Sequence, residues 1–84
     1  MHEFSIASSI INEVEKICVK NNIKHVTKVV AAGGVYSCLN DEDVKFAFGS
    51  LSRGTKCENA VFDVECPSEM TNDYEIIIKH IEGE

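Results

Sequence analysis

Seven side chains, Ile6, Ala7, Ile10, Ile11, Val14, Ile17 and Cys18, recur at intervals of three and four residues near the start of the chain. That spacing gathers them on one stripe of an α-helix over residues 5 to 21, while Asn12, Glu13, Glu15, Lys16 and Lys20 fall elsewhere on its surface. Ser5 is the N-cap candidate, and Asn21-Asn22 can end the helix through a left-handed residue. A stripe this wide must be buried against another layer, so the rest of the chain has to supply one.

The following segments supply it. Residues 25 to 35 are β-branched and partly alternating and read as the first strand, with a bulge or close backbone approach expected at Gly33-Gly34. The two glycines lack the G-x-G-x-x-G spacing of a dinucleotide loop. A second helix is expected from 41 to 53, with Asn40 at the N-cap, Asp41, Glu42 and Asp43 on the first turn where the macrodipole favours them, and Gly54 after its end. Val44, Ala47, Phe48 and Leu51 form its stripe, and Phe46 departs from it. Residues 59 to 66 alternate as a strand that Pro67 stops, and residues 74 to 81, centred on Ile76-Ile77-Ile78, make a last strand expected to pair antiparallel with its predecessor. The reading is a single α+β domain over residues 1–84, α-β-α-β-β, with two helices packed on a three-stranded mixed sheet as a two-layer sandwich.

Size and charge remove several functions. A chain of 84 residues buries only about 60 to 65% of the surface its unfolded form exposes, so it holds one core. With 14 acidic and 8 basic residues its net charge is −6, the wrong sign for a nucleic-acid partner. No apolar run reaches the roughly 20 residues that cross a bilayer, and no positively charged, then apolar, leader opens the chain, so a cytoplasmic protein is expected. Cys18, Cys38, Cys57 and Cys66 form no C-x-x-C pair, which argues against a structural zinc site, and 44% hydrophobic content favours reduced thiols in an ordinary core. Cys18 belongs on the buried face of the first helix. No nucleophile and base stand at an interpretable spacing, so an enzyme is not expected.

One short stretch carries coordination chemistry. At Met1-His2-Glu3 a terminal amine, an imidazole and the intervening backbone amides lie within reach of one metal ion. Ni(II) favours square-planar or tetragonal nitrogen and oxygen donors, and the Met1 amine, the His2 ring and the deprotonated amides of His2 and Glu3 offer four nitrogens. The Glu3 carboxylate is either a charge-balancing neighbour or an alternative ligand. Each amide and amine must lose a proton first, so affinity should rise with pH, and copper(II) should bind more tightly still. His25 and His80 read as surface or strand-edge residues.

The ordered whole resembles the HypA/HybF nickel metallochaperones: the start Met-His-Glu-x-Ser-x-Ala-x-Ser-Ile, a Lys-Val-Val strand ending at Gly34, Phe46-Ala47-Phe48, Gly54-Thr55, Ala60, and a Val-Glu-x-Pro strand end. The resemblance covers residues 1 to 67 and resumes over the last strand. It implies a carrier of Ni(II) in nickel–iron hydrogenase maturation, with urease an alternative target, and a nickel site on Met1, His2 and Glu3. It further implies a maturation GTPase, and the hydrogenase large subunit, as partners. The family carries a zinc-binding insertion with two C-x-x-C pairs between its last two strands, where this chain passes from Pro67 to Tyr74 directly, so no zinc is expected; Val35 also stands where the family commonly has Glu. An alternative is an interaction module that has lost metal delivery with that insertion and docks through the acidic face of the first helix. An exposed strand edge leaves homodimerisation by sheet extension or strand swapping open.

Overall fold

The computed structural model describes residues 2–34, 40–66 and 76–84, with the backbone alone for His2 and Ile76. Its elements run α1 (His2–Asn21), β1 (Val26–Gly33), α2 (Asp41–Leu51), β2 (Val61–Glu65) and β3 (Ile76–Gly83). Two helices cover one face of a three-stranded mixed sheet, the architecture expected from the sequence.

Helix α1 buries Ile6, Ala7, Ile10, Ile11, Val14 and Cys18, with Ile17 half-buried at the edge of the stripe. It starts three residues earlier than the expected Ser5, which lies exposed inside the first turns. The reason is Phe4, which packs against the core and extends the stripe by one more turn, at three and seven residues before Ala7 and Ile11. The other end closes as anticipated. Asn22 is left-handed at φ 58°, the Ile23 N–H donates to the Cys18 carbonyl at 2.9 Å, and the Asn21 side-chain amide donates to the Ile17 carbonyl at 2.9 Å.

Helix α2 buries Val44, Ala47 and Phe48. Asn40 occupies its N-cap position without a side-chain capping hydrogen bond, leaving the three acidic residues of the first turn to meet the dipole. The helix ends two residues before the expected 53, at Leu51. Gly54 follows at φ +78°, a conformation that favours glycine. Between the helix and β2, the buried Ser52 holds the turn: its carbonyl accepts from the Thr55 N–H at 3.0 Å and the Thr55 hydroxyl at 2.6 Å.

The strand order is β2-β1-β3, with β1 parallel to β2 and antiparallel to β3. This corrects the expectation that the last strand pairs with its predecessor. Each helix packs against one edge strand, α1 against β3 and α2 against β2. Had β3 added outside β2, it would have left the long apolar stripe of α1 without a sheet over it. Placed beside β1, it sets Ile78 and Ile81 against the core. The ladder irregularities fall between Val26 and Lys28 and between Val30 and Ala31, whereas Gly33 pairs in register with Ile76, so of the two alternatives expected at Gly33-Gly34, a bulge or a close backbone approach, the bulge is not found at Gly33. At the core, the Phe48 and Phe62 rings stack with centroids 4.5 Å apart and planes 8° apart.

Cys18 and Cys57 are free, buried thiols, but Cys66, exposed just beyond β2, is disulfide-bonded, which departs from the expectation of uniformly reduced cysteines. Spacing along the chain carries no information about which strand ends meet, and that is what a disulfide requires. The stretch from Pro67 to Tyr74, where a zinc insertion is expected to be missing, lies outside the described residues.

Past Gly83 the ladder is continued by Glu84, whose N–H donates to the His25 carbonyl at 2.9 Å and whose own carbonyl accepts from Lys24 at 2.7 Å. A Cβ on Gly83 would stand 2.5 Å from the His25 carbonyl oxygen and 3.2 Å from the Val26 Cα, both backbone atoms. Gly83→Ala is therefore expected to cost about 1–3 kcal/mol, as overpacking does elsewhere. Urea denaturation would measure it, and a change within about 0.5 kcal/mol, the usual range of a surface substitution, would show that the strand end simply moves aside.

A candidate metal terminus

The chain direction places the candidate site. Only four residues, Asn22 to His25, connect α1 to β1, so the helix runs back along the strand, antiparallel to it. Because β1 and β2 are parallel, α2 must also run opposite to both. Both helices therefore begin at the same end of the molecule. There β1 finishes at Gly33, β2 finishes at Glu65 opposite Ala32, and β3 begins at Ile76 opposite Gly33.

Met1 and the ring of His2 lie outside what is described, and Glu3 is half-buried in the first turn of α1. The backbone is informative nonetheless. The first four N–H groups of an α-helix have no carbonyl four residues back to bond to, so the amides of His2 and Glu3 are spared from the helical ladder. A metal that binds amide nitrogen has to displace a proton from it, and doing so here breaks no intrahelical bond donated by that amide.

Electrostatics at this end run both ways. Each helix N-terminus carries about half a positive charge, which disfavours a cation. Glu3 on α1 and Asp41, Glu42 and Asp43 on α2 counter it. Along the chain the acidic run Asp41-Glu42-Asp43 reads as a helix start alone. The tertiary structure gives it a second consequence, because it sits at the end of the molecule where α1 begins. The clue available in the sequence was the strand-helix-strand order, since a parallel pair joined by a helix fixes that helix's direction.

The remaining candidates lie elsewhere. His25 is exposed ahead of β1, at the opposite end. His80 is exposed within β3, its Nε2 3.0 Å from the Glu82 Oε2. Among the described residues, no three His, Cys, Asp or Glu side chains gather as a metal cluster. The two free thiols are not candidates either. Burial, with Cys18 and Glu15 adding to it and the Thr55 hydrogen bond opposing, pushes the Cys57 thiol up to about 11. Burial also raises Cys18, against the attraction of Lys56. Both are buried and stay protonated near neutrality, which makes them poor nucleophiles.

A family described as hydrogenase/urease nickel incorporation, metallochaperone, hypA, matches residues 1–81. The hydrogenase maturation factor HypA of Aquifex aeolicus is 40% identical over 65 residues, covering 77% of this chain and 56% of that protein. That of Methanocaldococcus jannaschii is 39% identical over 70 residues, with the same coverage of 77% and 56%. The chain thus spans about half the length of these curated relatives. In fold it is similar to the solution structure of a HypA protein, with a TM-score of 0.71 at 21% identity, covering 100% of this chain and 97% of that one. It is likewise similar to the solution structure of the nickel metallochaperone HypA from Helicobacter pylori, with a TM-score of 0.69 at 24% identity, covering 95% and 72%.

Proposed function

The chain belongs to the HypA family of hydrogenase/urease nickel-incorporation metallochaperones, and from that premise we propose that it binds Ni(II) at Met1, His2 and Glu3 and carries it to the hydrogenase maturation machinery. The observation that supports this reading most directly is that the family match begins at residue 1 and takes in the three candidate ligands. Nickel is cargo in this account. The chain's part is to capture and present it, with no chemical conversion, as suits a maturation factor.

Capture uses the free Met1 amine, the His2 ring and the amides of His2 and Glu3, four nitrogens in the planar arrangement that Ni(II) favours. Consecutive helical amides point along the helix axis, side by side, so converging on one ion takes the first residues of α1 out of helical geometry. The core contacts that begin at Phe4 hold the rest of the helix in place. The Glu3 carboxylate and the acidic start of α2 balance the incoming charge. Delivery would be to a maturation GTPase or to the hydrogenase large subunit, in the cytoplasm. Selectivity against copper(II), which the same nitrogens prefer, has to come from metal supply and from the partner.

The test is a nickel titration of protein with a free Met1 amine against the same protein extended by Gly-Ser ahead of Met1. Extension removes the amine donor and leaves the fold intact, so saturable one-to-one binding should be lost. Equal affinity in the two proteins would overturn the terminal site.

A further inference from the structure

At the far end of α2 from the nickel terminus, three separate observations meet. A concavity of about 410 Å³ lies between the last turns of α2 and the 52–59 connection, lined by Phe46, Gly49, Ser50, Arg53, Glu58 and Asn59 among others. Phe46 is 70% exposed on its rim, although its neighbour Phe48 is 1% exposed. Arg53 is exposed and joins none of the ion pairs among the described residues.

Gly49 adds a fourth. Glycine in a helix interior is less stable than any residue with a side chain except proline, and a Cβ here would meet nothing within 4 Å. Its φ is not in the left-handed region. Neither space nor backbone geometry therefore calls for glycine, and what its absent side chain does is keep the floor of the concavity open to close approach along the helix.

We propose that this concavity is a docking site for a peptide segment of a partner protein in which an aliphatic side chain stands beside a carboxylate. The aliphatic group covers the Phe46 ring over Gly49, the carboxylate takes the two-pronged hydrogen bond of the Arg53 guanidinium, and the Glu58 carboxylate, which accepts the Gly54 N–H at 3.4 Å, accepts a further N–H from the segment. The left-handed Asn59, at φ 66°, fixes the connection that forms the opposite wall. A protein of net charge −6 repels acidic peptides in general, so attraction at this place has to be local. The proposal stands apart from the nickel reading, since none of these residues is at the nickel end.

The experiment is a titration of isotope-labelled protein, followed through its amide resonances, with an acetylated and amidated hexapeptide alternating Leu and Glu. The expected result is saturable shifts confined to residues 46–59, weakened at least tenfold by Arg53→Glu and by Gly49→Leu, with Gly49→Leu melting no lower than the parent. The Leu–Lys and all-Glu hexapeptides should not reproduce these shifts. Absence of saturation, shifts centred elsewhere, an equal response to either control peptide, or unchanged binding by both variants would each overturn the proposal.

Discussion

Phe48→Ala is expected to leave the protein largely unfolded in about 2 M urea and close to the threshold without it. The side chain is 1% exposed, stacks on Phe62 at 4.5 Å, and joins α2 to β2 under the sheet. Truncating a buried Phe to Ala costs about 3–5 kcal/mol through lost transfer energy and the cavity left behind, and losing an aromatic pair adds about 0.5–1.5 kcal/mol. At roughly 0.05–0.15 kcal/mol per residue, a domain of 84 residues has about 4–13 kcal/mol in all, so this one ring carries a large share of it. Phe46→Ala, two positions away and exposed, should change stability by no more than about 0.5 kcal/mol. Urea titration followed by circular dichroism separates the two. A loss below about 1.5 kcal/mol for Phe48→Ala would mean that the core closes around the gap and that the stacked pair does not hold α2 to the sheet.

His2→Ala is expected to lower nickel affinity on the order of 100-fold or more, about 3 kcal/mol, while leaving thermal stability within about 0.5 kcal/mol. The imidazole is the only donor of the proposed four that a substitution can remove without touching the backbone. Its loss leaves the amine and two amides, which water or the Glu3 carboxylate must then complete. Acidification should act in the same direction. Protons compete with the metal at the amine, at the ring and at both amides, so affinity falls steadily as pH drops and the slope reports how many protons nickel releases. Helical circular dichroism should decrease slightly on loading, as the first residues of α1 turn toward the ion. Calorimetry at several pH values gives affinity and proton release together. Unchanged affinity in His2→Ala, or affinity independent of pH, would place the nickel elsewhere.

The elements were legible because local rules set them. The three-and-four spacing from Ile6 to Cys18 named the buried face of α1, the Asn21-Asn22 pair named its end, and the acidic triplet with Gly54 bracketed α2. Helix α1 starts ahead of Ser5, a good capping residue in isolation, because Phe4 gains more by reaching the core than Ser5 gains by capping. The candidate ligands at residues 1 to 3 were legible for the opposite reason: a terminal chelate is made from consecutive atoms and needs no fold to assemble it.

What consecutive residues cannot encode is which distant segments lie side by side. The isoleucine-rich last strand fits beside β1 or beside β2 equally well, and only the need to cover the stripe of α1 puts it next to β1. The disulfide at Cys66, the open concavity above Gly49 and the meeting of two acidic helix starts at one end likewise depend on which segments meet in space. The sequence by itself determined the helices, the strands and their buried faces, and it offered the candidate terminal donors, because those depend on groups a few positions apart. The tertiary structure alone decided the strand order and the surroundings of the terminus, because those depend on burying one whole layer against another.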